Sequence, residues 1–242
     1  MIADMSFAEV RLLTDVVARL ERLDGDTNAR AEVLGDIANL LRAQHSCSYV
    51  WNNQSKKFDS AHTINLSDQC NSRYQSYYQH HDPMTFRMRE AKCAIVSEVM
   101  DYKTELYNTE YYQMVMKDEG MMFGINMYMF DGDRDIGDLR IWRDKSSQDF
   151  QQRDKDILLI IEPYLKRSIL RLERGKVCHA MLTNREHDVA QLVCKGLTDK
   201  EISIYLNIGF STVRTHLNKS MSKLGCSNRA ELAASLSRGT LQ

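Results

Sequence analysis

Residues 182–217, LTNREHDVAQLVCKGLTDKEISIYLNIGFSTVRTHL, contain the pattern that decides the fold of the C-terminal quarter of the chain. Thr183 lies three residues before Glu186, and Thr198 lies three residues before Glu201. This spacing is typical of a capping box, in which a hydroxyl and a carboxylate each accept a hydrogen bond from a free backbone N–H at the start of a helix. Two short helices are therefore predicted to begin at these threonines.

Two more helices are predicted after this pair. Asn228 and Glu231 repeat the three-residue spacing, with Asn in place of Thr. Residues 207–211, NIGFS, predict a tight turn in which Gly209 takes a positive φ and Ser211 caps the third helix. The predicted core of the four helices consists of Val189, Leu192, Val193, Ile202, Ile204, Leu206, Val213, Leu217, Met221, Leu224, Leu232, Ala233 and Leu236. The sequence therefore predicts an all-α, four-helix domain that contains a helix-turn-helix.

The same segment resembles the DNA-binding domain of the LuxR family of bacterial transcriptional regulators. The resemblance rests on the motifs Leu182-Thr183-x-Arg185-Glu186, Gly196-Leu197-Thr198-x-Lys200-Glu201-Ile202, Ser211-x-Val213-Arg214-x-His216, Lys223-Leu224-Gly225 and Asn228-Arg229-Ala230-Glu231-Leu232. It implies a cytoplasmic transcriptional regulator that binds double-stranded DNA and is not an enzyme. Ser220 stands where the family carries an apolar residue, which predicts a looser core along the third helix.

The resemblance also implies which residues contact DNA, because the third helix of that family enters the major groove. Arg214 can donate two hydrogen bonds to a guanine edge, Asn218 can pair with adenine, and Thr215 can offer its methyl group to thymine. The implied phosphate contacts are Thr198, Lys200, Ser211, Thr212, Lys219, Lys223 and Arg229. For each phosphate contact the alternative is a role in helix capping or a solvated position on the surface.

The charge of the chain is divided unevenly. The whole chain of 242 residues has a formal net charge of −1, but residues 176–242 carry nine Lys+Arg and five Asp+Glu, a charge of +4, which leaves −5 on residues 1–175. A basic segment on an acidic body predicts a polyanionic partner for the C-terminal part alone. DNA fits this expectation.

Apolar residues recur at three- and four-residue steps in several N-terminal segments, which is typical of amphipathic helices. Helices are predicted at residues 7–20, ending at Asp24-Gly25, and at residues 33–41, 107–117 and 150–174. Pro163 is expected to kink the last of these or to remove one of its hydrogen bonds. One stripe of that helix, which either forms a dimer surface or covers a sheet, carries Ile157, Ile161, Leu165, Ile169 and Leu172.

The predicted strands complete the fold class. They lie at residues 48–51 and 58–64 around a turn at 52–54, at 94–96, and at 121–130 and 136–142 around the turn Asp131-Gly132. The prediction is an α+β fold, with an antiparallel sheet of about five strands covered by helices in a GAF- or PAS-like way, followed by the four-helix domain.

The chain is expected to divide into a sensor and dimerisation domain at residues 1–174 and a DNA-binding domain at residues 175–242. The best linker candidate is Glu173-Arg174-Gly175-Lys176, in which Gly175 can alternatively cap a helix.

A second resemblance concerns the N-terminal domain. Tyr74-x-x-Tyr77-Tyr78-x-His80-x-Asp82-Pro83 is similar to a stretch in LuxR-type regulators whose GAF-like or autoinducer-binding sheet holds a small molecule, and it implies that Asp82 bonds a ligand amide. Receptors for acyl-homoserine lactones carry aromatic residues at three positions that here hold Gln69, Arg73 and Ser97, which argues against a lactone. The predicted pocket is lined by Tyr49, Trp51, Tyr74, Tyr78, Met84, Met88, Met127, Met129 and Trp142. For any one of these the alternative is a place in the core.

The leading hypothesis is a dimeric regulator on a palindromic operator, because a single helix-turn-helix contacts too few bases for useful specificity. A homodimer, a small-molecule effector and RNA polymerase are the partners expected besides DNA. One alternative is a ligand-independent regulator whose N-terminal domain is a dimerisation or protein-interaction scaffold. An enzymatic N-terminal domain is a third class, but the sequence has no nucleophile elbow, phosphate loop or metal motif, so no catalytic residue, cofactor or metal is predicted.

Two further exclusions follow from the sequence. No apolar run reaches the roughly 20 residues needed to span a bilayer, and the N-terminus has no basic segment followed by an apolar one, which predicts a soluble, unsecreted protein without a membrane partner. The six cysteines are scattered without a CxxC pair, which predicts reduced thiols. The alternating Asp131, Asp133 and Asp135 are interpreted as a solvated hairpin tip, and His80-His81-Asp82 as loop surface.

Overall fold

The computed structural model describes residues 5–22, 27–53, 55–91 and 95–238. The predicted helix stop at Asp24-Gly25, Gln54 of the first predicted turn and Ala94 lie outside the described residues. The chain forms two compact units, of which the first ends at Ile169 and the second begins at Leu170. The division at residue 174 expected from the sequence stays a prediction.

The first unit is built on an antiparallel sheet of four strands in the order β2-β1-β4-β3. The strands are β1 (His45–Asn52), β2 (Lys57–Ile64), β3 (Phe123–Asp131) and β4 (Arg134–Arg143). Consecutive strands pair as antiparallel neighbours, which confirms both predicted hairpins. The strand predicted at residues 94–96 is reduced to one bridge between Ile95 and Ile125, because Val96 already begins a 3-10 turn.

Five α-helices accompany this sheet in the described part of the chain. They are α1 (Phe7–Arg22), α2 (Thr27–Leu40), α3 (Asp68–Ser76), α4 (Pro83–Ala91) and α5 (Gln152–Met181). The helix predicted at residues 107–117 is irregular, since a 3-10 turn at Leu106–Asn108 is followed by a π-helical segment at Tyr112–Met116.

Side chains alternate between the two faces of the sheet, as the twofold period of a strand requires. On one face Cys47, Tyr49 and Trp142 pack with residues of α3 and α4 such as Tyr74 and Met84 in one buried cluster. The helix α2 packs against β1 and β2. The sheet is therefore the layer that positions the interior of this unit.

The apolar stripe of α5 is not a dimer surface. Ile157, Ile161, Leu165 and Ile169 are fully buried within the first unit, so the alternative role of covering the interior is the one observed. The side chain of Leu172 lies outside the described residues. The helix also continues without a break to Met181, so Gly175 does not end the helix. The linker at residues 173–176 stays a prediction.

The second unit contains α6 (Asn184–Cys194), α7 (Asp199–Leu206), α8 (Phe210–Lys223) and α9 (Arg229–Arg238). The two predicted capping boxes, at Thr183 and Thr198, are confirmed. The third differs, because Asn228 accepts from the Glu231 N–H at 2.8 Å while Glu231 accepts from the Ser227 N–H at 2.7 Å. The Glu231 carboxylate thus accepts from the N–H of Ser227, one residue before the expected Asn228.

The apolar core of this unit follows the prediction with one exception. Ile202, Val213 and Leu232 are fully buried, but Ile204 is 73% exposed. Ile204 lies two residues after the buried Ile202, which on a helix is a step of about 200° and points it away from the core.

The turn between α7 and α8 departs from the prediction. Asn207, with φ 52°, occupies the left-handed conformation at the end of α7, whereas Gly209 has φ −63° and precedes α8. Ser211 lies within the first turn of α8 and does not cap it. Asn is a residue that tolerates the left-handed region, which explains why the turn does not need its glycine there.

Ser220 does not loosen the third helix as predicted. Its side chain is fully buried, and its hydroxyl lies 2.8 Å from the His216 carbonyl oxygen and 3.3 Å from that of Glu186. The buried hydroxyl is therefore satisfied by carbonyl oxygens of α6 and α8.

A substitution at Gly137 tests the pairing of β4 with β1. Gly137 has φ 151°, and an added Cβ would lie 2.3 Å from the Tyr49 carbonyl oxygen. We expect Gly137→Ala to lower the free energy of unfolding of this unit by about 2 kcal/mol or more, because backbone atoms must move. Urea unfolding followed by tryptophan fluorescence measures this, since Trp51 and Trp142 are the two tryptophans of the chain.

Gly35→Ala in α2 is the matched control, because an added Cβ there meets nothing within 4 Å. It should raise stability by about 0.5–1 kcal/mol through the lower helix propensity of glycine. Equal effects of the two substitutions would contradict the described β1–β4 contact.

Candidate functional site

The helix α8 presents one polar face to solvent. Arg214, Thr215 and Asn218 are exposed, while Val213 and Leu217 are buried in the core. Residues three and four positions apart on a helix are neighbours on its surface, so Asn218 lies beside both Thr215 and Arg214 and the three predicted base-reading side chains share a face.

Contacts within the second unit orient two of the side chains on this face, Arg214 and Thr215. The Arg214 side chain is 67% exposed, with Nε 4.0 Å from the Asp199 carboxylate and the guanidinium 6.0 Å from the centre of the Phe210 ring. Thr215 donates its hydroxyl hydrogen bond to the Ser211 carbonyl oxygen at 2.9 Å. Its methyl group is thereby the part of Thr215 left for an outside contact.

The start of α8 differs from the starts of α6 and α7. Gly209 precedes it and supplies no side-chain cap, so backbone N–H groups of the first turn have no side-chain acceptor. Ser211 and Thr212 are exposed on that turn, and Lys219 and Lys200 are exposed on α8 and α7. Uncapped N–H groups with hydroxyls and cations are suited to an anion such as phosphate.

Three of the predicted phosphate contacts have partners inside the unit. The Lys223 ammonium lies 2.6 Å from a Glu186 carboxylate oxygen. Arg229 pairs with the Asp199 carboxylate and donates to the Leu197 carbonyl oxygen. The Thr198 hydroxyl belongs to the capping box of α7. In this structure these side chains hold helices together.

Sequence reasoning missed Asp199 and Glu186 as organising residues. Asp199 contacts both Arg229 and Arg214, so one carboxylate links α7 to α8 and α9. Glu186 is 3% exposed and is bound by Thr183 and Lys223. Both are acidic residues in the first turn of a helix. Glu186 was interpreted only as a capping residue, and Asp199 was given no role.

The electrostatics of Glu186 follow from these bonds. The hydrogen bond from Lys223, followed by that from the Thr183 backbone N–H, lowers the pKa of Glu186 to about 2. The carboxylate is therefore ionised throughout the neutral range.

The first unit brings most of the predicted pocket residues together, but as a packed cluster. Tyr49, Tyr74, Tyr78, Met84, Met88 and Trp142 are buried in one core, with Trp51 partly buried against it. The cavity left among them, beside Arg140 and Trp142, measures only about 10 Å³. Met127 and Met129 lie on the opposite face of the sheet, since their register partners on β4 are Leu139 and Gly137.

Arg140 fills the centre of this cluster. Its guanidinium lies 2.7 Å from Asp138 and 3.4 Å from Asp82, and it donates to the Tyr74 hydroxyl. The guanidinium carbon is 4.7 Å from the centre of the Tyr74 ring and 5.1 Å from that of Tyr49. A buried cation is thus matched by two carboxylates and aromatic faces, as burial of charge requires.

The Asp82 carboxylate makes hydrogen bonds within the first unit. It accepts hydrogen bonds from the Met84 N–H at 2.9 Å and the Thr85 N–H at 3.2 Å, and it therefore caps α4, which begins at Pro83. Burial raises the pKa of Asp82, and the charge of Arg140 acts in the opposite direction. Contrary to the interpretation of this stretch as loop surface, Asp82 is fully buried, whereas His80 and His81 are exposed.

Two of the positions that lack the expected aromatic residues make polar contacts. Arg73 donates to the Met114 carbonyl oxygen at 2.8 Å, and the Ser97 hydroxyl donates to Asp149 at 2.7 Å. Among the residues that the structure describes, no three His, Cys, Asp or Glu side chains are grouped as a metal site requires, and none of the helices is long and apolar enough to cross a membrane.

Comparisons with known proteins agree with this architecture. Residues 180–236 match the family model described as bacterial regulatory proteins, luxR family. The chain is 40% identical over 58 residues to the spore germination protein GerE of Bacillus subtilis, an alignment that covers 24% of this chain and 78% of GerE. It is 24% identical over 208 residues to the monoamine regulon transcriptional regulator of Klebsiella aerogenes, which covers 84% of this chain and 88% of that protein.

Two solved structures share the fold. SdiA in complex with octanoyl-rac-glycerol aligns with a TM-score of 0.52 and 17% identity, over 98% of this chain and 97% of SdiA. The N-acylhomoserine lactone dependent LuxR family transcription factor CepR2 of Burkholderia cenocepacia aligns with a TM-score of 0.52 and 16% identity, over 67% of this chain and 93% of CepR2. The chain therefore shares its fold with these two structures.

The pKa of Glu186 leads to a prediction for the stability of the second unit. Because this pKa is lowered from 4.5 to about 2, the stabilisation is complete above pH 4.5 and is lost as the pH falls towards 2. We expect Glu186→Gln to lower the free energy of unfolding by about 1–3 kcal/mol at pH 7. The variant should also lose less stability than the original protein between pH 5 and 2. Urea unfolding followed by circular dichroism at several pH values measures both effects.

Glu201→Gln is the control, since Glu201 closes an equivalent capping box but is exposed and pairs with no lysine among the described residues. Its effect at pH 7 should be the smaller of the two. A larger effect at Glu201 would show that the Glu186–Lys223 contact contributes little.

Proposed function

We propose that this chain, whose residues 180–236 match the luxR family of bacterial regulatory proteins, is a dimeric, sequence-specific transcriptional regulator whose activity responds to a small molecule bound by the first unit. The observation that carries the proposal is the exposed polar face of α8, where Arg214, Thr215 and Asn218 have no buried role. The proposed partners are double-stranded DNA in the cytoplasm and RNA polymerase.

In this proposal Arg214 is the principal base-reading residue. A guanidinium can donate two parallel hydrogen bonds to the O6 and N7 atoms of guanine, which no other base pair matches in the major groove. The contact with Asp199 and the Phe210 ring restricts the side chain before DNA arrives, which lowers the entropy lost on binding. Asn218 and Thr215 read the neighbouring positions.

The phosphate backbone is held by a smaller set of residues than the sequence suggested. Lys200 and Lys219 supply charge, and Ser211 and Thr212 supply hydroxyls beside the uncapped start of α8. Lys223 and Arg229 act through the fold, because each is bound to a carboxylate of the unit.

Dimerisation is proposed to use the exposed sides of α1 and α5 rather than the buried stripe. Phe7 is 85% exposed on α1, Val10 lies one turn further on, and Leu159 and Ile160 are exposed on α5. Arg153 binds Glu9 at 2.7 Å, and Arg167 binds Glu21, so the two helices lie side by side. A second copy of the chain would cover these apolar groups and place two recognition helices on one operator.

Control by a small molecule is supported by relatives of the same fold. SdiA is described in complex with octanoyl-rac-glycerol, and CepR2 as dependent on an N-acylhomoserine lactone. In this chain Arg140 and its carboxylates occupy the middle of the cluster, which argues against a lactone. The same filled interior favours a second candidate, a ligand-independent regulator whose first unit is a dimerisation or protein-interaction scaffold.

Two substitutions on α8 separate base reading from phosphate binding. Arg214→Ala should cost about 1–3 kcal/mol of binding free energy on the preferred operator and relax the preference at one base pair. Lys219→Ala should weaken binding on all sequences alike and reduce the salt dependence by about one counterion. Fluorescence anisotropy with operator variants at several salt concentrations measures both, and identical behaviour of the two variants would reject the assignment of Arg214.

A double substitution tests the dimer surface. Phe7→Glu with Val10→Glu should raise the dimer dissociation constant at least tenfold, because both charges would have to be buried on association. Sedimentation velocity of the full chain measures this change. Ala8→Glu, at an exposed position of the same helix turn, is the matched control and should leave association unchanged, and equal effects would place the dimer contact elsewhere.

A further inference from the structure

Phe210 is a large apolar residue at an exposed position of the second unit. It is the first residue of α8, it is 51% exposed, and it is not a member of the apolar core that the described residues of this unit form. Ile208, two residues earlier, does pack against that core. The fold therefore makes little use of the Phe210 ring, which is available for contact with another molecule.

The Phe210 ring lies on the same face of α8 as two of the predicted base-reading residues. Positions four apart on a helix are neighbours, so Phe210, Arg214 and Asn218 form one stripe along α8. The centre of the ring is 6.0 Å from the guanidinium carbon of Arg214, so these two side chains lie next to each other. A recognition helix contacts base edges with its N-terminal residues, and Phe210 lies at that end.

The rest of the exposed surface of α8 is polar. Every other exposed residue of this helix carries a hydroxyl, an amide or a charge, namely Ser211, Thr212, Arg214, Thr215, Asn218, Lys219, Ser222 and Lys223. The apolar feature that a base pair presents in the major groove is the 5-methyl group of thymine. A phosphate is a poor neighbour for the ring, because the ring would displace water from the phosphate oxygens without replacing its hydrogen bonds. Thymine is therefore the chemical match for Phe210 on this face.

The spacing between Phe210 and Arg214 limits where such a thymine can lie. Four residues of an α-helix rise by about 6 Å, and successive base pairs are about 3.4 Å apart. A methyl group in contact with the ring is therefore expected within about two base pairs of the guanine that Arg214 binds.

We propose that Phe210 is a further specificity-determining residue, which packs against the 5-methyl group of a thymine within about two base pairs of the guanine bound by Arg214. The inference rests on the proposed sequence-specific DNA binding by α8, and it is independent of the dimer surface and of any small molecule. It adds a second thymine contact to the one proposed for Thr215.

The test uses the full chain and duplex operators selected from a random library, in which thymines are replaced one at a time by uracil. Uracil lacks the 5-methyl group and keeps the hydrogen-bonding groups of thymine. Replacing the thymine that contacts Phe210 should weaken binding about fourfold, the contribution expected from burial of one methyl-sized group. Fluorescence anisotropy at a fixed salt concentration measures the dissociation constants, and the guanine is identified as the position where Arg214→Ala relaxes the preference.

Phe210→Ala should bind the thymine and uracil operators with equal affinity, because the ring that covers the methyl group is absent. Its folding is checked by circular dichroism. Ile204→Ala is the matched control, since Ile204 is also apolar and 73% exposed but lies on α7. This control should keep the discrimination between thymine and uracil that the original chain shows.

Thr215→Ser distinguishes the two thymine contacts. It removes the methyl group of Thr215 and keeps the hydroxyl that donates to the Ser211 carbonyl oxygen. The thymine assigned to Phe210 should keep its uracil effect in this variant. If the effect is lost in Thr215→Ser and persists in Phe210→Ala, Thr215 makes the contact and the proposal is overturned.

Two other results would also overturn the role of Phe210: no uracil replacement near the guanine changes the affinity, or Ile204→Ala removes the discrimination as completely as Phe210→Ala. If the chain selects an operator and Arg214→Ala relaxes one base pair, such a result rejects the Phe210 contact alone. If no operator is selected from the library, sequence-specific binding by α8 is itself rejected, and the Phe210 contact with it.

Discussion

The carboxylate of Glu186 is the contact on which the geometry of the second unit depends. It closes the capping box of α6 at Thr183 and binds Lys223 near the end of α8, while the Glu186 carbonyl oxygen receives the buried Ser220. One residue therefore fixes the start of one helix and the position of another. Because α8 carries the exposed Arg214 and Asn218, the orientation of the DNA-binding face follows from an interaction on the far side of the helix.

The first unit is organised by a different constraint, the burial of a guanidinium. Arg140 and Asp138 lie two residues apart on β4, so both point to the same face as Trp142 and meet Tyr74 and Asp82 there. Removing such a cation from water is costly unless carboxylates and aromatic faces replace the water. The replacement fills the interior that the sequence suggested as a pocket.

Local patterns predicted the second unit well, because capping boxes and apolar spacing depend on residues a few positions apart. The same patterns placed Ile204 in the core by its apolar character alone, although its helical phase points it outward. The sequence pattern favoured Gly209 for the left-handed position, because glycine adopts it at the lowest steric cost, whereas Asn207 occupies it. Lys223 and Arg229 were assigned to phosphate because their carboxylate partners are distant in sequence or on another helix.

In the first unit the two hairpins were predictable from their turns and alternation, whereas the pocket was not. Grouping Met127 with Tyr49 required knowledge of the strand register, and the register places them on opposite faces. The shared face of Asp138 and Arg140 could be predicted from the sequence, since both alternate in phase with Trp142 along β4. The pairing of Arg140 with Asp82, which caps the start of α4, depends on the tertiary fold.

The most direct test of the central claim is selection of DNA from a random library by the full chain at physiological salt. A dimer that inserts two α8 helices into successive major grooves predicts enrichment of an inverted repeat, with half-sites about 10 base pairs apart from centre to centre. Enrichment of a single unrepeated motif would contradict the dimer, and the absence of any enriched sequence would contradict sequence-specific regulation by this protein.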